Sequence, residues 1–180
     1  VKNHVNRMVF ASTTEIYGPQ KISSPLTEDA PKLFTGHYSY NKFECENRLL
    51  EYYRKYGLEV TFLRMPMVLG PGFYHEKAIL GVFLLFRLGL PVPITSPDMP
   101  LSFVSSDDCA DAFILAANKP EAVGEAFNIA APDYPKLKPF FEEFAKTVGS
   151  SSKVIILPQG IFASGIRIAK FLSKFLKGKF

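Results

Sequence analysis

The chain has 180 residues, 47% hydrophobic and 21% charged, enough for one domain with a real core, and it reads as globular and soluble. No run of 18 or more apolar residues occurs, which argues against a spanning helix; the longest candidate, residues 78–86, stops at Arg87 and is expected as a buried helix. The net charge of +4 is uneven: Lys153, Arg167, Lys170, Lys174, Lys177 and Lys179 stand in the tail with no acid, and the fifteen bases against seventeen acids before them exclude the basic face a nucleic-acid partner needs.

Residues 5–12 (VNRMVFAS) form a short apolar run ending in small polar residues, the pattern of a buried parallel strand feeding a loop. Gly18-Pro19, Ser23-Ser24-Pro25 and the run Thr27 to Pro31 mark that loop. From Tyr38 to Tyr56, the spacing of Phe43, Leu49, Leu50 and Tyr53 predicts a helix, with Gly57 as its C-terminal cap. Residues 58–64 read as a second strand, and Pro66 and Gly70-Pro71-Gly72 as another loop. A helix over 76–88, a strand over 101–104 and a helix capped by Asp107 and running to Asn118 follow. Residues 126–130 read as a strand, 136–148 as an amphipathic helix, 154–157 as a strand or extended segment, and 160–177 as a last helix. The alternation of strands and helices predicts an α/β fold with a parallel sheet.

Tyr38 and Lys42 stand four apart at the start of the first helix, so both side chains share one face, a turn apart. A phenol ordinarily loses its proton near pH ~10, and a nearby ammonium favours the phenolate, so such a pair can exchange a proton with a substrate hydroxyl near neutrality. By spacing alone, an exposed pair packing stem against ring fits as well. The string Ser12-Thr13-Thr14-Glu15-Ile16-Tyr17-Gly18 adds weight, because hydroxyls just past a parallel strand's C-terminal end lie where open α/β sheets bind ligands. Ser12 and Thr13 can also simply satisfy backbone groups in a turn. His4, His37 and His75 show no zinc spacing, so no metal is expected. Cys45 and Cys109 form no disulfide framework, no secretory pattern opens the chain, and a reducing, cytoplasmic compartment is expected.

The segments VFASTTEIYG, PLTEDAP, YSYNK, LRMPMVLGPG, LSFVSSDDCADAFILAA and GEAFNIA, in this order, resemble the extended short-chain dehydrogenases/reductases, also called the NAD-dependent epimerase/dehydratase family. The resemblance covers residues 5 to about 148. It implies a Rossmann-type part over 1–65 and 101–130 and a substrate lobe over 66–100 and 131–180, together one partial domain. It implies Thr13 as the hydroxyl on the reacting oxygen, Tyr38 as catalytic acid/base, and Lys42 as the ribose contact that tunes Tyr38. Ser12, Tyr38, Lys42, Pro66 and Val68 would meet the cofactor, NAD or NADP; Thr14, Glu15 and Met67 would meet the substrate. Glu15 has two readings, a base of dehydratase type or a residue that orients the loop.

The family's glycine-rich dinucleotide turn is absent, since Gly70 and Gly72 lack a third glycine at His75. The expectation is therefore a piece lacking roughly a hundred preceding residues, given ordinary βαβ sizes. Two positions bear on substrate. Leu101 stands where nucleotide-sugar members carry an Arg, and Met67 where an Asn is frequent; both suit an apolar substrate better than a diphosphate. The leading expectation is an oxidoreductase or epimerase for a nucleotide sugar. The alternatives are a hydroxysteroid or flavonol-type dehydrogenase or reductase, and a non-catalytic cofactor-binding member. The partner expected is a small-molecule substrate, with a homodimer left open. Arg167, Lys170, Lys174 and Lys177 share one face of the last helix, which suits either a solvated side or, less favoured, contact of 160–177 with an anionic membrane.

Overall fold

The computed structural model describes residues 5–20, 25–71 and 77–165. His4, His75, Ser23, Ser24, Gly72 and the basic stretch 166–180 lie outside them, so the membrane expectation for 160–177 is not addressed by the structure; residues 159–165 are helical. The chain forms two compact units, one of Val1–Gly72 with Ser102–Asp133, the other of Phe73–Leu101 with Tyr134–Phe180.

The first unit is built on strands β1 (Arg7–Thr13) and β2 (Glu59–Met65), a parallel pair in register from Arg7 opposite Glu59 to Thr13 opposite Met65. Helix α1 (His37–Tyr56) makes the crossover and ends where Gly57 adopts a left-handed φ of 69°, as its sequence predicts. Successive residues of a strand face opposite sides. Val60 and Phe62 point to α1 and form a core with Leu58, Phe10, Leu49, Leu50 and Ala126. Burying each large side chain there stabilises the fold by about 1.5–3 kcal/mol. Thr61 and Leu63 face the other side, where Thr61 Oγ1 donates to Ala122 O at 2.6 Å.

Pro66 lacks an N–H and breaks the ladder, so the chain leaves β2 for a separate short strand, β3 (Met67–Leu69). Pro66 and Gly70-Pro71-Gly72 predict only a loop here. The apolar helix follows as α2 (Lys77–Arg87) in the second unit, with β4 (Val92–Ile94) after it. It is not the buried helix expected. Phe86 is 2% exposed, but Leu80 and Leu84 are 38% and 54% exposed, because the apolar residues run round the helix while packing covers one stripe.

Back in the first unit, β5 (Phe103–Ser105) pairs parallel with β3 and leads into α3 (Ser106–Asn118). Ser105, not Asp107, caps this helix: its Oγ accepts from Asp108 N at 3.0 Å, and Asp107 sits inside the first turn. A cap must stand before the first helical residue for its oxygen to reach the free N–H groups. Strand β6 (Ala126–Asn128) completes the main sheet in the order β1-β2-β6. In the second unit, α4 (Leu137–Thr147) packs Phe141, Phe144 and Ala145 against Phe86 and Val92, and β7 (Val154–Ile156) pairs parallel with β4.

Candidate active site

Ligands of parallel sheets bind at the strands' C-terminal ends. There β1 runs into a 3-10 turn, Thr14–Tyr17, closed by Gly18 at φ 60° and ψ −170°, a backbone region only glycine adopts without strain. A Cβ at Gly18 would run into the Leu33 carbonyl oxygen, so this glycine lets the loop around residues 25–33 lie against the turn.

Lys42 reaches from α1 to β1. Its Nζ donates to Ala11 O at 2.7 Å and lies 5.0 Å from the Phe10 ring centre and 5.9 Å from the Tyr38 ring centre. Tyr38 is 55% exposed, so its ring faces the surrounding space rather than the core. The ammonium that Ala11 O holds thus also lies over the Tyr38 ring.

Thr13, 6% exposed, accepts from Glu15 N at 3.2 Å through Oγ1 and caps the turn. An accepting hydroxyl still has its own proton to donate. Ser12 differs: its Oγ is buried and has no hydrogen-bond partner among the described residues. A buried polar atom without a partner is costly unless a ligand or water satisfies it. Ser12 stands at the end of a parallel strand, one residue beyond the carbonyl that holds Lys42. Pro66 directly follows Met65, the strand partner of Thr13, while Met67 and Val68 lie on β3, half-buried. Thr14 is half-buried; Glu15 and His37 are exposed.

Sequence reading missed a buried polar network beside this corner. Arg64, on β2 opposite Ser12, places Nε 3.1 Å from Glu46 Oε1 and Nη2 2.7 Å from Glu46 Oε2. Its Nη1 donates to Tyr17 Oη and to Glu28 O, both at 2.9 Å. Tyr17 Oη donates onward to Asn128 Oδ1 at 2.7 Å, and Asn128 N donates to Glu28 Oε1 at 2.8 Å. Burial opposes the charge of Arg64, but the hydrogen bonds and negative charge of Glu46, with Tyr17, outweigh it and hold its pKa above the usual value. Burial pushes the Tyr17 phenol up, against the pull of Arg64. Lys32, over the Tyr17 ring at 5.1 Å, is pushed down by burial and by the charge of Arg64. The signal available in the sequence was a lone arginine inside the apolar strand EVTFLRM, since such a cation is buried only with a partner.

On the opposite sheet face an apolar groove of about 420 Å³ lies between α3 and β6, lined by Leu63, Leu115, Ala116, Phe127 and Ile129, with Lys119 and Glu121 also in its lining. Its lining holds neither Tyr38 nor Lys42, so it is not the candidate site.

A family model described as NAD dependent epimerase/dehydratase family matches residues 1–130. The UDP-glucose 4-epimerase of Vibrio cholerae is 27% identical over 135 residues, 72% of this chain and 40% of that protein. Among solved structures, UDP-glucose 4-epimerase of Thermotoga maritima with UDP-glucose superposes with a TM-score of 0.76 at 25% identity, covering 87% of this chain and 52% of the other. UDP-glucuronic acid 4-epimerase of Bacillus cereus, in complex with UDP-glucuronic acid and NAD, gives 0.74 at 21% identity over 85% of this chain and 49% of its own. The chain spans about two fifths of the length of the curated relatives it matches.

Proposed function

The chain belongs to the NAD dependent epimerase/dehydratase family, and from that premise we propose that the protein is an NAD(P)-dependent oxidoreductase or epimerase that interconverts a secondary alcohol and a ketone on a nucleotide sugar. The observation that carries this reading is the Tyr38–Lys42 pair, with its ammonium held by the Ala11 carbonyl beside an exposed phenol. In this reading, Tyr38 exchanges the proton of the substrate hydroxyl, and Lys42 places a positive charge beside it. Thr13 donates its free O–H to the reacting oxygen. Ser12 and Lys42 hold the ribose side of the cofactor, with Pro66 and Val68 along the nicotinamide. When bound there, the nicotinamide supplies the hydride acceptor and donor. Thr14, Glu15 and Met67 lie toward the substrate, and the second unit serves as the substrate lobe. The two solved structures named above with UDP-sugars bound, and the Vibrio cholerae relative's name, support the substrate class.

A second reading rests on Leu101 and Met67, apolar where a diphosphate would want fixed donors; it is a hydroxysteroid or flavonol-type substrate. The full-length protein should therefore be screened for NADH or NADPH formation, and for epimerised product, with UDP-sugars and with hydroxysteroids. Tyr38→Phe should lower turnover by about 10²–10⁴-fold while leaving NADH affinity, read by fluorescence, nearly unchanged. Unchanged turnover removes Tyr38 from the reaction.

A further inference from the structure

We propose that Arg64 is a positioning residue: its buried guanidinium fixes the spacing between the hydroxyl of Thr13 and the phenol of Tyr38. The inference rests on the reading of Tyr38 just given and adds to it a group that touches neither substrate nor cofactor.

Tyr38, Lys42 and Glu46 stand at i, i+4 and i+8 of α1, one stripe along the helix. Two of the three are anchored. Lys42 ties the stripe to β1 through Ala11 O, and Glu46, 2% exposed, ties it to β2 through both prongs of Arg64. Anchors one turn apart on neighbouring strands fix the rotation and the rise of the helix together. Tyr38, a turn beyond Lys42, is the free end of that stripe.

The other side of the same guanidinium holds the turn that follows Thr13. Nη1 donates to Tyr17 Oη, and Tyr17 is the last residue of the 3-10 turn that Thr13 caps. Asn128 Oδ1 on β6 accepts from that phenol, which prevents it from swinging away. The third acceptor, Glu28 O, belongs to the loop that packs against Gly18. One planar cation is thus bonded to the helix bearing Tyr38 and to the turn bearing Thr13. Arginine suits this task because its N–H groups diverge in a fixed plane; a lysine ammonium carries the charge but not the fork. For stability alone, an apolar replacement of a buried pair often serves as well, so the bidentate geometry points to register.

The test uses the full-length protein with Arg64→Lys, Glu46→Gln and Tyr17→Phe, and Tyr38→Phe as reference. Each is measured for kcat, KM, NADH affinity and melting temperature, with kinetics taken well below every melting point. Tyr17→Phe, the smallest change, keeps the ring and loses only the hydroxyl. The expected result is a kcat lowered on the order of tenfold to a hundredfold in Tyr17→Phe and Glu46→Gln, with KM and NADH affinity within about twofold, as for a displaced reacting group. Arg64→Lys should fall at least as far. Folded variants with lower melting points and undiminished kcat would overturn the proposal, as would a change confined to KM. Should Arg64→Lys fail to fold, Tyr17→Phe still decides. If Tyr38→Phe itself retains full turnover, the failure belongs to the functional reading and not to Arg64.

Discussion

Two ends of one helical stripe are built on opposite terms. At Glu46 the charge is buried and gripped at two points by Arg64, and the surrounding donors and acceptors, Tyr17, Asn128 and Glu28 among them, close on one another. At Tyr38, two turns away, the ring is 55% exposed; Ser12, paired in register with Arg64, buries an Oγ that has no partner among the described residues. A fully satisfied buried network rigidifies its surroundings, whereas an unsatisfied group is costly and persists where the surroundings over-determine it. The saturated end thus fixes the helix, and the exposed end leaves the Tyr38 ring open to its surroundings.

The comparison is broken most severely at its closed end. Arg64→Met strands a buried carboxylate and should destabilise the fold by about 3–5 kcal/mol in urea titrations, while Lys42→Met, at the open end, should cost roughly 1 kcal/mol. Similar losses for the two would erase the distinction. Gly18→Ala comes next, at about 1–3 kcal/mol, because the backbone there is glycine-only and the Leu33 carbonyl occupies the added methyl's place. Ser12→Ala sharpens the contrast by going the other way. Removing an unpartnered buried hydroxyl should leave stability unchanged or raise it by about 1 kcal/mol, with weaker NADH binding; a clear loss of stability would mean the hydroxyl is already engaged.

The smallest effect is one of pH. The folded-state pKa of Tyr17 lies above its ordinary 10.0, so between those two values the unfolded chain has released a proton that the native chain keeps. Stability contributed there is complete below pH 10 and falls as pH rises further. Lys32, with its folded pKa lowered, opposes this, since stability linked to it rises with pH up to its ordinary 10.5. Tyr17→Phe should therefore flatten the alkaline decline expected in melts above pH 10; an unchanged slope would assign that decline to other groups.

What the sequence made legible were the features set locally. The apolar runs gave β1, β2 and β6 to within a residue or two, and Gly57 marked the end of α1 because a left-handed cap is a local demand. Strands β3 and β4 were not legible: three residues carry no periodicity, and each exists through pairing with a strand more than 30 residues away. The cap of α3 was misplaced because Ser-Ser-Asp-Asp offers four capping side chains, and only the φ/ψ of Ser105 selects among them. The exposed side of α2 was missed because an apolar helix does not reveal which stripe its neighbours cover. At the site, the four-residue spacing of Tyr38 and Lys42 was visible, whereas Arg64 on β2 meets Glu46 on α1 across 18 residues through the packing of helix on strand, which no spacing rule encodes.

Strand β2 is flanked by β1, which precedes it, and by β6, which comes much later: Phe62 pairs with Ala126. During synthesis at about 5–20 residues per second, β6 emerges some 3–13 seconds after β2. For that interval a highly apolar strand has one open edge, and Arg64 has neither Asn128 nor the closed network around Tyr17. Nascent chains stalled between residues 70 and 120 are therefore the form of this protein that holdase chaperones should bind most strongly, with release once β6 has left the ribosome.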